Sequence, residues 1–337
     1  MTQSTPSQFF FSLKTQEAKY KNEAGTLTVV TSKEVPGFVN ISFANLLLKK
    51  KGFLKPIWHA NANKIGYCTQ GKCVITLRSP EKNEILTVEK GEIFFIPLGF
   101  VHSIQNAGEV DCMIQFALDN TLPETMSFSK AIYSLSDSVF KATFNSSSNF
   151  VDGLKKSKNE VNMTTLSQVK NVPNGANPYK FNIEKSSKVI STHGGYVQAG
   201  TKKNLPSLQG LGILGFGLNV GGIVEPHWHT NAGELVYIVK GKTRITVLSP
   251  NGHVDVLEVN AGEGAFAPAS HFHNIENIGR EEVEVIAFFS NAEPDFIGIG
   301  EVTGEYSNEE LGAIFNIAPD YFSSLKKIQG PLVIVPL

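Results

Sequence analysis

Short apolar runs bounded by turn-forming residues recur along this chain of 337 residues. Residues 74–77 and 244–248 alternate or run apolar with β-branched side chains, and Gly, Ser, Pro and Asn punctuate both at close, regular spacing. That pattern predicts the strands of a small barrel or sandwich, because β-branched residues suit a pleated, half-buried surface. The polar clusters 79–83 and 249–252 fall at matching hairpin tips. Two stretches break the rhythm. Residues 122–168, rich in Ser, Asn and Lys with scattered apolar positions, predict short helices and an inter-domain linker. Residues 308–315 and 320–327 predict capped helices after the second set of strands, with Ser307 or Asn308 as N-cap.

The matching tips reflect an internal repeat. An offset of 170 positions aligns Phe11 with Phe181, Gly25 with Gly195, Thr31 with Thr201 and Pro36 with Pro206. The same offset superposes Pro56-Ile57-Trp58-His59-Ala60-Asn61-Ala62 on Pro226-His227-Trp228-His229-Thr230-Asn231-Ala232. After a one-residue insertion, Gly91, Pro97, His102 and Asn106 meet Gly262, Pro268, His273 and Asn277. The chain therefore reads as a duplicated domain, divided into residues 1–168 and 169–337.

The second copy carries the chemistry. On a strand, His227 and His229 point to one face, and a turn through Asn231 and Gly233 returns Glu234 beside them. With His273, these residues offer three imidazoles and a carboxylate to one metal ion. Such a set leaves coordination positions open and suits manganese, iron, nickel, cobalt or copper, or zinc with fewer ligands. Val236 and Ile238, on the strand face of Glu234, and Phe216 and Phe266 are expected to make the wall apolar, which favours a small, partly apolar ligand with oxygen donors. In the first copy Ile57 stands in place of the first histidine and Lys64 in place of the glutamate, leaving only His59 and His102. That half is expected to hold no metal. It serves as a packing partner, a scaffold, or a pocket for a small molecule beside Lys64. His193 and His253 read as exposed turn residues and His271 as turned outward.

These spacings resemble the cupins. Gly221, His227-Trp228-His229, Glu234 and Gly241 form one motif, and Gly262, Pro268, Ser270, His273 and Asn277 the second. Ser270 stands where the family usually has glycine, so a slightly altered loop is expected there. The two-barrel arrangement is most similar to the oxalate decarboxylase and germin-like branch. That resemblance implies an all-β chain of two tandem double-stranded β-helix, jelly-roll-like barrels with short helices after each. It also implies manganese as the usual metal and a homo-oligomer, trimeric or hexameric. In the decarboxylases an arginine three positions before the first ligand holds the substrate carboxylate; here Val224 and Leu54 occupy those places. The resemblance further implies a lid glutamate that handles the proton. Glu293, in Asn291-Ala292-Glu293-Pro294-Asp295, and Glu124 lie in the corresponding regions, and Glu293 is the catalytic candidate.

Composition then excludes some classes. With 30 basic and 31 acidic residues the net charge is -1, so no basic face is available for general nucleic-acid binding. No apolar run is long enough to span a bilayer, and the N-terminus lacks a basic, then hydrophobic, leader. A soluble cytoplasmic protein with a small-molecule ligand is expected. The three cysteines give no disulfide framework, and Cys68 and Cys73 are expected to be reduced, packed thiols. Two functions remain: a metal-dependent enzyme acting on a small oxygen-bearing molecule by decarboxylation, oxidation or oxygenative cleavage, or a non-catalytic, storage-type bicupin. The missing arginine favours the second or a different substrate, and the intact ligand set favours the first; an enzyme whose substrate is not oxalate is the reading taken.

Overall fold

A computed structural model describes residues 7–156, 161–328, 330 and 333–337. The chain forms two tandem barrels, each built from two antiparallel sheets. Residues 1–6, part of the N-terminal stretch expected to lack a leader, lie outside the described residues.

The compact units depart from contiguous halves. One comprises residues 17–30 and 42–182; the other comprises the chain up to Gln16, residues 31–41, and 183–337. The exchange is reciprocal. Phe10–Ser12 pairs antiparallel with Glu263–Ala267, and Lys180–Asn182 pairs with Glu92–Ile96. Phe11 and Phe181, equivalent by the repeat, thus each extend a sheet of the other copy.

In the first unit, Lys64–Gln70 lies between Glu92–Ile96 and Cys112–Leu118 in one sheet, and Val101–Asn106 lies between Gly52–His59 and Lys72–Arg78 in the other. Residues of both sheets, including Leu46, Phe94 and Phe116 from one and Leu54, Ile75 and Leu77 from the other, form a single buried core. The second unit repeats the plan. Glu234–Lys240 lies between Glu263–Ala267 and Val283–Phe289, and Phe272–Asn277 lies between Gly222–Trp228 and Lys242–Leu248. Gly25 and Gly195 mark equivalent close approaches: at φ of 154° and 148°, a Cβ would come within 2.1 Å of the Leu47 carbonyl oxygen and 2.0 Å of that of Gly217.

Helices Phe128–Ser134, Asp137–Phe144 and Ser148–Lys156 fall in the stretch expected to hold them. Asn308–Phe315 is an α-helix closed by a capping box on Ser307, whose hydroxyl accepts from Glu310 N while Glu310 accepts from Ser307 N. The expected helix at 320–327 is instead a 3₁₀ segment, Pro319–Ser324, that turns extended at Leu325. So short a segment has no buried face to offset helix nucleation, and the tighter turn satisfies its carbonyls locally. Cys68, Cys73 and Cys112 are all free and buried, as packed thiols.

Candidate metal centre

The site sits between the two sheets of the C-terminal barrel. Strand Gly222–Trp228 delivers His227, which lies directly opposite His273 of Phe272–Asn277. His229 follows just beyond that strand, and Glu234 opens Glu234–Lys240 in the other sheet. All four side chains are buried, and one donor atom from each falls within 4.8 Å of the others. Nε2 of His229 and of His273 lie 3.0 and 2.9 Å from Glu234 Oε2, with His227 Nε2 at 3.5 Å.

The outer nitrogens decide the chemistry. His227 Nδ1 meets Glu225 O at 2.7 Å, His273 Nδ1 meets His271 O at 2.8 Å, and His229 Nδ1 meets Asp295 O. A carbonyl oxygen only accepts, so each Nδ1 carries the proton and each neutral ring turns an Nε2 lone pair inward. His227 and His229 then oppose two lone pairs 3.2 Å apart, an arrangement that a shared cation relieves. Burial opposes ionisation of Glu234, but contacts to the three imidazoles outweigh it and hold the carboxyl well below the usual range. Burial, with His273 adding to it, pushes His227 down to about 4. Burial also acts against His229, yet its contact with Glu234 leaves it raised. Once a cation displaces the proton that Glu234 favours on His229, three Nε2 lone pairs and a carboxylate form the donor set a divalent transition metal requires.

A supporting layer fixes the ligands. The Asp295 carboxylate accepts from Thr230 N at 2.7 Å and from the Thr230 hydroxyl, while its main chain holds His229. Phe296 stacks on the His227 ring with centroids 4.4 Å apart and planes at 17°, and Phe289 meets His229 edge-on. The buried Glu225 carboxylate accepts from Gly300 N and Val333 N, which anchors the strand carrying His227. Sequence reasoning missed Asp295, Phe296 and Glu225. Asp295 lies two residues beyond Glu293 in a segment that had drawn notice, but nothing local marks its carbonyl as the partner of His229.

Registers also correct the expected wall. Glu234, Val236 and Ile238 pair with Phe289, Ala287 and Val285, and Val285 with Phe216, so Phe216 shares their face. Phe266 pairs with Leu235, on the opposite face, where it packs against Phe38. Ser270 adopts the left-handed φ of 62° that its counterpart Gly99 adopts at 77°. The loop is therefore kept in the glycine conformation and not altered, because Ser270 N is held by His229 O at 2.8 Å.

Val224 is buried in the core, in register with Ile275 and Ile334, and Leu54 with Ile104 and Met163. Glu293 is exposed; its main chain accepts from Asn231 Nδ2 and donates to Asn291 Oδ1, and its carboxylate is not part of the buried cluster. Glu124 is exposed as well, its main-chain N–H donating to Asn61 Oδ1. His193 and His253 are exposed, and His271 lies half-buried with its ring edge-on to Phe9. Among the described residues the first barrel has no group of three or more His, Cys, Asp or Glu donors comparable to this one.

Two such barrels, the second carrying this donor set, define a cupin. The cupin family model matches residues 11–152 and again 181–320, and the chain belongs to that family, in its two-barrel form of the oxalate decarboxylase and germin-like branch. Its relatives include oxalate decarboxylase OxdC of Bacillus subtilis, 24% identical over 320 residues, covering 92% of this chain and 83% of the relative. A germin-like protein of Arabidopsis thaliana is 26% identical over 160 residues, covering 45% and 73%. A cruciferin of Raphanus sativus is 32% identical over 93 residues, covering 26% and 19%. A solved structure of oxalate decarboxylase overlays 99% of this chain and 90% of its own with a TM-score of 0.86 at 22% identity. No helix among the described residues is long and apolar enough to cross a membrane.

Proposed function

We propose that the C-terminal barrel is a mononuclear metal centre, with His227, His229, Glu234 and His273 as ligands, that acts on a small oxygen-bearing molecule. The carrying observation is the convergence of three imidazole Nε2 lone pairs, each fixed by an Nδ1–H to carbonyl hydrogen bond, on one buried carboxylate. Manganese is the first choice, because a related solved structure concerns the Mn(II) centres of Bacillus subtilis oxalate decarboxylase. Iron, zinc, nickel, cobalt and copper fit the same donors. A divalent ion held by these four residues would supply Lewis-acid polarisation of a bound carbonyl or carboxylate.

The chain's own residues set what binds. Phe296 and Phe289 exclude water around the ligand histidines, and Phe216, Val236 and Ile238 line the interior face with apolar surface. Buried Val224 supplies no second cation for a small dianion, whose desolvation needs one. The favoured substrate is therefore a monoanion or neutral oxygen compound and not oxalate. Proton transfer by Glu293 requires segment 293–296 to leave its hydrogen bonds to Asn231; lost turnover in Glu293→Gln at unchanged metal content is the supporting result.

Metal analysis of the purified protein tests the first step. Less than about a tenth of an equivalent of any transition metal, with His227→Ala changing neither content nor thermal stability, refutes the centre. A screen of carboxylates, enols and phenols under air and under nitrogen, with oxalate at mildly acidic pH as the reference, tests the second. The alternative, a storage-type metal binder, predicts full metal loading and no turnover in that screen.

A further inference from the structure

The first barrel buries three polar groups that its fold leaves facing one another. Lys64 lies on the interior strand face with Gly66 and Cys68, paired with Ile96 and Leu118, and its ammonium stands 3.9 Å from the centroid of the Phe116 ring. The His59 and His102 rings are 5.9 Å apart. Exposures of 4%, 7% and 1% for Lys64, His59 and His102 place all three more than nine-tenths out of solvent. Nε2 of both histidines is buried without a hydrogen-bond partner. Natural cores seldom leave such atoms unsatisfied, since each forfeits about 1–3 kcal/mol of hydration.

Hydrogen-bonding roles restrict what satisfies them. His102 Nδ1 donates to Phe100 O at 3.1 Å, so its Nε2 is an acceptor. His59 Nδ1 faces the Thr125 hydroxyl at 3.3 Å, and the Glu124 carbonyl, which only accepts, also acts on the ring, so the proton belongs on Nδ1 and His59 Nε2 is an acceptor as well. Lys64 only donates. A metal ion is a poor match, for the second copy's carboxylate is here an ammonium and its first histidine is Ile57. The complement is an anionic oxygen for Lys64 and an O–H for His102, both on one molecule.

We propose that the N-terminal barrel is a metal-free binding site for a small hydroxycarboxylate monoanion, with the carboxylate on Lys64 and the hydroxyl donating to His102 Nε2. Burial pushes Lys64 down to about 7, so a bound anion also restores its charge. Lys19 adds positive charge that acts on His59. This site is independent of the metal centre, and chelation separates the two.

Glycolate is the probe, titrated calorimetrically into the full chain after exhaustive chelation. One equivalent is expected to bind, at least tenfold more tightly than acetate, which lacks the hydroxyl. Lys64→Met is expected to weaken binding at least tenfold and Lys64→Arg to retain most of it. The affinity is expected to fall between pH 6 and pH 9 as Lys64 loses its proton. His102→Leu, which removes the acceptor, is expected to abolish the preference for glycolate over acetate, and a preference that survives it overturns the proposal. No saturable binding at millimolar glycolate overturns the proposal. So does binding untouched by Lys64→Met, or a metal equivalent that the wild type retains through His59 and His102 and Lys64→Met alters.

Discussion

Replacing Lys64 with methionine is expected to stabilise the first barrel, most strongly at low pH. Burial lowers the Lys64 pKa from 10.5 to about 7. Between those values the unfolded chain binds a proton that the folded chain does not, so wild-type stability rises with pH across that window. Below about 7 both states are protonated, and the fold carries the whole cost of the buried ammonium. At about 1.36 kcal/mol per pKa unit, that cost is on the order of 5 kcal/mol, and relaxation around the charge leaves an expected gain of about 2–4 kcal/mol for the methionine variant at pH 6. Methionine is unbranched and of similar length, so it fills the space beside Phe116. The two tryptophans fall one in each repeat, Trp58 and Trp228. Urea unfolding followed by Trp58 fluorescence in a Trp228→Phe background therefore reports the first barrel. The variant's advantage is expected to shrink by roughly 3 kcal/mol between pH 6 and pH 9.5. An advantage equal at both pH values, or a variant less stable than wild type at pH 6, refutes the burial argument.

Other perturbations follow from the same contacts. Glu234→Gln removes the only charge among the four donors and is expected to lower metal affinity by at least about 100-fold, measured as metal retained after dialysis. Phe296→Ala removes the ring stacked on His227 and is expected to speed metal release by chelator several-fold at unchanged stoichiometry. Gly298→Ala sets a Cβ 2.5 Å from Glu225 Oε1 and is expected to cost about 1–3 kcal/mol, read as a lower Tm. Burial, with Lys64 adding to it, holds His59 down to about 3 against an ordinary 6.5. Its folded pKa is depressed, so the unfolded chain is protonated first, and first-barrel stability is expected to fall as pH drops from about 6.5 toward 3. His59→Asn is expected to flatten that acid limb.

What was legible in the sequence depended on how local its cause was. The strands, the N-cap at Ser307 and the convergence of the four donor side chains come from alternation, short-range hydrogen bonding and fixed spacing. Phe266 was misplaced because period two assigns faces only once the register is known, and it is the pairing of Leu235 with Phe266 that turns it away. Ser270 was expected to disturb its loop, yet the loop is held from outside by His229 O, a contact that spans 41 positions and outweighs about 1–2 kcal/mol of left-handed strain. Asp295 and Phe296 act on His227 and His229 across more than 60 positions and carry no motif of their own. The exchange of Phe10–Ser12 and Lys180–Asn182 was hidden for a different reason. A repeat aligns Phe11 with Phe181 whether each strand completes its own sheet or the other copy's, because equivalent edges offer equivalent partners. Duplication thus reveals which residues correspond while concealing which copy they serve. The same holds for the two barrel interiors: alignment shows that Lys64 replaces Glu234, but only the unpartnered Nε2 atoms of His59 and His102 show that the altered interior still needs a polar occupant.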